Sequence, residues 1–286
     1  MRKKYVGLWF VLPGFTGLFV FYLLPFLDVI RRSFYSAVGN RWAGVSNYAS
    51  VLGNDAFRLA ARNTGRFLVV CIPLLLVFSL LTALGIAALG RLGGERLSSA
   101  AKSACLMPMA IPAASVVLLW QVVFHRSGLL NGVMSTWLGR DWGVDWMHTE
   151  AAFGVLVFCY LWKNLGYDVV LWIAGLGTVP TEICEAARMD GAGRVTMFFC
   201  VVLPCMRSAV LMIVIVSLLN AFKVFREAWM VAGNYPQEDI YLLQHLFNNW
   251  FRALAVDKMA AGAVLLAGAL LVPVLLLGSD RRGKGE

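Results

Sequence analysis

Long apolar runs alternate with short polar segments along the chain. A helix needs about 20 mainly apolar residues to cross the hydrocarbon core of a bilayer. Runs of this kind predict six spans, at residues 7–30, 67–90, 104–124, 152–175, 208–231 and 260–278. The runs are too continuous for barrel strands, and open sheets would leave unpaired backbone groups in lipid. We therefore predict an all-α integral membrane protein with six transmembrane helices.

Composition agrees with this prediction. The 286 residues are 60% hydrophobic and 14% charged, whereas a soluble domain is about 45–50% apolar and about 25% charged. A chain of this composition has too few polar residues to cover the surface of a cytosolic enzyme of this size. The net charge of +9 comes from basic residues beside the spans, which serve topology, so no nucleic-acid partner is expected.

The basic residues also predict orientation. Those at 2–4, between spans two and three, between spans four and five and at 281–284 share one side, which the positive-inside rule makes cytoplasmic. Both termini are then cytoplasmic. Arginines also crowd the first outer segment, where Phe57, Leu59 and Ala60 predict an amphipathic helix at the membrane interface.

Three regions follow from these boundaries. Residues 1–66 hold the first span and the outer segment, residues 67–278 form a five-helix membrane domain, and residues 279–286 form a basic cytoplasmic tail.

The cytoplasmic segment between spans four and five, at about 181–200, predicts two short helices, of which the second runs from about Arg194 to Cys200. Thr181 can cap the N-terminus of the first helix, and Ala186 and Ala187 favour helix. Gly191 stands where a left-handed C-terminal cap is expected, and Pro204 suits the entrance of the next span. These residues alone leave open whether the segment is a solvated loop or a helix that docks on a partner.

Polar residues inside spans indicate function by default because they are expensive in lipid. Lys163 and Asn164 lie in span four, and Asn220 and Lys223 share one helix face in span five. They either line a hydrophilic path for solute, or bond between helices and snorkel to the interface. The aromatic residues Trp120, Phe222 and Phe225 complete the candidate pathway.

No catalytic constellation, metal site or cofactor site is predicted in this chain. Residues 278–284 approach the spacing of a phosphate-binding loop but lack its terminal hydroxyl residue. The three histidines are scattered, whereas a metal site needs clustered ligands. A self-contained secondary transporter or channel, or an intramembrane enzyme, would need acidic relays or ligand clusters at membrane depth. We place the two nearest candidates, Asp168 and Glu227, towards span ends.

One motif is recognisable. Glu185-Ala186-Ala187, three residues, Gly191, nine residues and then Val201-Val202-Leu203-Pro204 resembles the EAA motif of ABC importer permeases. That family usually has isoleucine at the position of Val201. Pro180 and the run Asp190-Gly191-Ala192 also resemble the family pattern.

Further motifs are similar to the sugar-permease branch of that family. They are Asn47-Tyr48, Asn63-Thr64, Gly128-Leu129-Leu130-Asn131 and Ala221-Phe222-Lys223-Val224-Phe225. The chain resembles the smaller six-span permeases of the maltose, lactose and glycerol-3-phosphate uptake systems.

The resemblance implies a type I ABC importer permease fold in which the EAA segment is the coupling helix. Glu185 would make a polar contact with a separate ATPase subunit, and Ala186 and Ala187 would permit close approach. Gly191 would set the bend, and Asp190, Leu203 and Pro204 complete the motif.

The resemblance also implies partners. A second homologous permease, expected to form a heterodimer, would complete the pathway. Two ATPase subunits would bind ATP and Mg, and an external binding protein would deliver the solute. That solute would be a sugar, oligosaccharide, polyol or glycerol phosphate, and the location would be a bacterial inner membrane, where lipid surrounds the chain.

Overall fold

The computed structural model describes residues 6–141, 143–222, 228–229 and 236–279. Regular structure in these residues is helical, apart from one antiparallel bridge between Tyr35 and Trp42. The first helices are α1 Val6–Leu18, α2 Leu24–Ser33, α3 Ser46–Leu52, α4 Asp55–Gly93, α5 Glu95–Ala110, α6 Ala113–Phe124 and α7 Leu129–Leu138. The others are α8 Ala152–Leu176, α9 Thr181–Met189, α10 Arg194–Met197, α11 Leu203–Cys205, α12 Arg207–Ala221, α13 Leu243–Arg252 and α14 Val256–Ser279. Wide π-helical turns occupy Phe19–Leu23 and Phe198–Val202, and a 3₁₀ turn occupies Glu238–Ile240.

Four helical segments in the described residues are long and apolar enough to cross a membrane, and a fifth is added if one bent pair counts as a single span. The first is Phe10–Ser33, which joins α1 to α2 through the π-helical turn. Helix α14 encloses the predicted sixth span, 260–278. The predicted all-helical membrane fold is therefore confirmed, whereas the number six stays a prediction.

The predicted third span, 104–124, is not one helix. Helix α5 ends at Ala110, Ile111 is extended with ψ 129°, and α6 starts after Pro112. The proline explains the break, because its ring disfavours the helical conformation for the residue before it. The long apolar segment of this region runs instead from Ala113 to Leu138.

Helix α4 begins 12 residues before the predicted second span. Asn54 caps it, since its Oδ1 accepts a 3.0 Å hydrogen bond from the Phe57 amide. The segment predicted as a separate interfacial helix is the first part of α4, and its residues Phe57 and Ala60 are buried. No proline or helix-ending turn interrupts the chain between this segment and the span, so the helix continues.

The chain forms two compact units, Met1–Ala60 with Leu246–Glu286, and Ala61–His245. In the first unit α14 packs against α2 and α3. The Asn47 amide donates to the carbonyls of Ser33 and Tyr35 at 3.0 and 2.9 Å, and the Tyr48 hydroxyl lies 2.6 Å from Ser33 Oγ. Asn47 and Tyr48 thus fasten the end of α2 to α3.

In the second unit α8 packs against α5 and α12. Val169 and Trp172 of α8 share a buried cluster with Met206 and Ile213, at the start of and within α12. This packing places α8 beside the helix that follows the predicted coupling segment.

Candidate functional site

The candidate coupling segment begins with helix α9, Thr181–Met189. Pro180, rather than Thr181, precedes the first helical residue, and no side chain caps this end. At the other end the amide of Ala192 donates to the Ala187 carbonyl at 3.0 Å, and Gly191 has φ +82°. A side chain is strained in that left-handed conformation, so glycine suits the position. The predicted C-terminal cap at Gly191 is confirmed.

A second helical stretch starts at Arg194 as predicted, but it continues beyond Cys200 and is less regular than predicted. Helix α10, a π-helical turn and α11 follow in succession, and Pro204 lies in the first turn of α11. At Met206 the chain turns, so that Arg194–Cys205 and Arg207–Ala221 meet at 77°. The segment therefore runs across the direction of α12, and its last turn is attached directly to that helix.

Helix α9 displays the motif at its surface. Glu185, Ala186 and Asp190 are exposed, and Ala187 is half-buried. Apolar side chains are exposed in the same segment, since Met189 at the end of α9 is 88% exposed and Val195 in α10 is 71% exposed. A surface that combines a carboxylate, small residues and uncovered apolar groups is typical of a protein–protein contact. Leu203 is half-buried against the α8–α12 cluster, whereas Pro204 is exposed.

The candidate pathway residues that the structure describes lie in α6, α8 and α12 and, for Phe222, directly after α12. Lys163, Asn164, Asn220 and Phe222 are half-buried. The Asn164 amide donates to the Tyr160 carbonyl one turn earlier, at 2.9 Å. Lys223 and Phe225 lie outside the described residues.

Trp120 is buried in an aromatic cluster of the second unit. Its ring lies 5.0 Å from that of Trp162 and 5.5 Å from those of Phe124 and Phe158, measured between centroids. Its Nε1–H has no hydrogen-bond partner among the described residues. A buried indole N–H usually finds a partner, so this donor is unusual among the described residues.

Asp168 does not lie at a span end. It is the seventeenth of the 25 residues of α8 and is 1% exposed. Its Oδ2 lies 2.6 Å from Ser217 Oγ in α12. The sequence carried the signal for this residue, because a carboxylate inside an apolar run is a functional candidate by default.

The Asn63-Thr64 motif fastens a distant loop to α4. The Asn63 amide donates to the carbonyls of Glu238 and Tyr241, the latter at 3.1 Å. Thr64 Oγ1 accepts a 3.0 Å bond from the amide of Leu243, the first residue of α13. These bonds link residues about 175 positions apart in the chain.

Arg66 adds to this fastening. Its guanidinium lies 4.1 Å from the centre of the Phe153 ring and 3.8 Å from an Asp239 carboxylate oxygen. The two contacts join the start of α8 and the same distant loop to α4.

Asn131 of the Gly128–Asn131 motif organises the loop around α7. Its buried Nδ2 lies 3.2, 2.9 and 2.7 Å from the carbonyl oxygens of His125, Arg126 and Val144. Its Oδ1 accepts a 2.8 Å bond from the Trp146 indole. Trp146 thereby packs on the Trp120 cluster instead of facing outwards.

Comparison with known proteins identifies the family of the chain. Residues 79–280 match the family described as binding-protein-dependent transport system inner membrane component. The chain belongs to this family. The permease is 31% identical to the diacetylchitobiose uptake system permease protein NgcF of Streptomyces coelicolor, over 93% of this chain and 80% of the relative. It is 27% identical to the osmoprotective compounds uptake permease protein GgtC of Synechocystis, over 97% and 98% of the two chains.

A solved structure shares the fold of the permease. A chain of the bacterial alginate ABC transporter, crystallised with an alginate pentasaccharide-bound periplasmic protein, superposes with a TM-score of 0.82 at 20% identity. The match covers 99% of the permease and 96% of that chain. By its family and its relatives, the permease is a transport component of the ABC importer type. Within the described residues, no group of three histidine, cysteine or acidic side chains could hold a metal ion.

Proposed function

We propose that the permease forms half of the translocation pathway of an ATP-driven importer for a carbohydrate-type solute. The observation that carries this proposal is the surface helix α9, which displays Glu185 and Ala186 and is attached to α12 through a sharp turn. Such a helix can transmit a movement of a bound partner subunit to the transmembrane helices.

The coupling role is assigned to the EAA residues. Glu185 contacts the ATPase subunit, Ala186 and Ala187 let it approach, and Asp190 and Gly191 end the helix. Leu203 and Pro204 attach the segment to α12. ATP and Mg bind to the ATPase, since the closest phosphate-loop pattern in this chain lacks its hydroxyl residue.

The solute is proposed to be a sugar, oligosaccharide, polyol or glycerol phosphate. NgcF is named for diacetylchitobiose, and the fold neighbour was crystallised with an alginate pentasaccharide-bound protein. Asn220, Lys163, Asn164 and Trp120 supply hydrogen-bond donors that suit hydroxyl-rich solutes. Lys223, Phe222 and Phe225 extend the same proposed pathway.

The proposed assembly contains a second, homologous permease, two ATPase subunits and an external binding protein in a bacterial inner membrane. Both termini are cytoplasmic in this arrangement, which places α9 on the side where ATP is available. Six spans complete the proposed topology.

The test is purification of the permease from its native membrane, followed by mass spectrometry of the proteins that accompany it. We expect an ATPase and a second permease, and we expect Glu185→Lys to lose the ATPase while retaining membrane insertion. Glu150→Lys makes the same charge change at an exposed position outside the segment and should leave the complex intact. If Glu185→Lys retains the ATPase, the coupling assignment is wrong.

A secondary transporter is the alternative, and one observation favours it. Asp168 is a buried acidic group inside a helix that is long and apolar enough to cross a membrane, and a proton-driven transporter would use such a group. A homo-oligomer that purifies without an ATPase and transports solute without ATP would support this alternative.

A further inference from the structure

A buried hydrogen-bond set joins α8 to α12. Ser217 Oγ lies 2.6 Å from Asp168 Oδ2 and 2.7 Å from the carbonyl oxygen of Ile213, one turn earlier in α12. The Tyr160 hydroxyl donates to the Ser217 carbonyl at 3.1 Å. Asp168 and Ser217 are both almost completely buried, so water does not compete for these bonds.

The number of hydrogen atoms available to these hydrogen bonds bears on the protonation state of Asp168. Both distances from Ser217 Oγ are those of full O–H···O hydrogen bonds. The Ile213 carbonyl can only accept, and the serine hydroxyl has one hydrogen to give. If Ser217 donates to Ile213, the second bond forms only when Asp168 carries a proton and donates it to Ser217.

The remaining carboxyl oxygen supports the same state. Asp168 Oδ1 is buried and has no hydrogen-bond partner among the residues that the structure describes. No ion pair joins Asp168 to any residue that the structure describes. A charged carboxylate with one oxygen unsolvated at membrane depth is far more costly than the carbonyl oxygen of a neutral acid.

The position of the pair gives it a role. Helix α12 follows the coupling segment directly, and Gly175 lets α8 approach α12 so closely that a Cβ there would lie 2.8 Å from the Ala209 Cβ. We propose that Asp168 is a neutral carboxylic acid that donates to Ser217 and holds α8 on α12, so that both helices move with the coupling segment. Asp168 is thus a positioning residue, and this inference rests on the proposed coupling function.

Infrared spectroscopy of the complete importer tests the protonation state. We expect a carbonyl stretch of a protonated carboxylic acid that shifts in D₂O and is absent in Asp168→Asn. Asparagine keeps the geometry, because its amide can donate to Ser217 as the acid does. A spectrum with no difference between the wild type and Asp168→Asn in that region would overturn the proposal.

Coupling is tested by measuring, in reconstituted complexes, how many ATP molecules are hydrolysed for each solute molecule imported. We expect Asp168→Asn to stay within about twofold of wild type and Asp168→Leu to lose coupling about tenfold, since it leaves the Ser217 hydroxyl without its donor. Leucine favours the membrane, so the Leu variant should insert normally. Val170→Leu, at an exposed position of α8, is the matched control.

The outcomes separate two failures. If coupling in Asp168→Asn falls as far as it does in Asp168→Leu, a negative charge is required at this position and the neutral-acid assignment is wrong. If Asp168→Leu couples normally, Asp168 has no positioning role. A wild-type complex that shows no ATP-driven import would instead refute the proposed function itself.

Discussion

Gly166 of α8 lies against the carbonyl group of Cys105 in α5, and a Cβ atom at residue 166 would overlap that group. Backbone cannot move aside as the end of a flexible side chain can, so the two helices must separate. We expect Gly166→Ala to destabilise the protein by about 2 kcal/mol, as a lower melting temperature in detergent. Gly154→Ala in the same helix meets no atom within 4 Å and should not lower stability. Equal melting temperatures for the two variants would contradict this packing.

The hydrogen bonds from Asn63 to Glu238 and Tyr241 predict a second effect on stability. Asn63→Asp removes the N–H donors that satisfy two backbone carbonyls and replaces them with acceptors. We expect a loss of about 1–3 kcal/mol in stability and faster proteolysis of the chain near residues 236–242. The exposed neighbour Arg62 provides the control, Arg62→Ala. If cleavage of that loop is unchanged in Asn63→Asp, the Asn63 hydrogen bonds contribute nothing measurable to the stability of the loop.

Gly191 predicts a local effect on the candidate coupling segment. With φ +82°, alanine at this position is strained by about 1 kcal/mol, although nearby space is open. We expect the amides of Asp190 and Ala192 to exchange hydrogen about fivefold faster in Gly191→Ala. Gly193→Ala is the matched control, because Gly193 has φ −66° and equally open space. Identical exchange in the two variants would contradict the strain at Gly191.

His245 predicts a dependence of stability on pH. Burial lowers its pKa to about 4 from 6.5, and its Nδ1 accepts a 3.2 Å hydrogen bond from the Leu242 amide. Between these pH values the unfolded chain binds the proton and the folded chain does not. The free energy of unfolding therefore falls as the pH is lowered from 6.5 to about 4, by about 3 kcal/mol in total.

Thermal melts across this pH range check the His245 prediction. Asparagine can accept the same hydrogen bond but does not titrate, so His245→Asn should flatten the curve. His148→Asn, at an exposed histidine, controls for the substitution itself. An unchanged slope in His245→Asn would show that other groups cause the acid sensitivity.

The sequence contained the local features of the coupling segment because their causes are local. Gly191 ends α9 through its own backbone conformation, and the residues that favour helix precede it directly. The break at Ile111 was also signalled locally, by Pro112. The span 104–124 was nevertheless predicted as one helix, because hydropathy depends on composition and not on backbone conformation.

Other features depended on packing and could not be placed from the sequence. Asn63 was recognisable as part of a motif, yet its partners lie about 175 residues away. The burial of Asp168 requires α12 to cover that face of α8, and the pattern of one helix does not reveal its neighbour. Which polar residues meet the solute stays a prediction for the same reason.

Asn131 binds main-chain carbonyls of its loop, and every amino acid carries a carbonyl. Residues 125, 126 and 144 can therefore be exchanged without loss of these bonds. The loop can change its outward-facing chemistry while its course stays the same. This freedom makes the loop a suitable place for grafted residues in engineered variants of the permease.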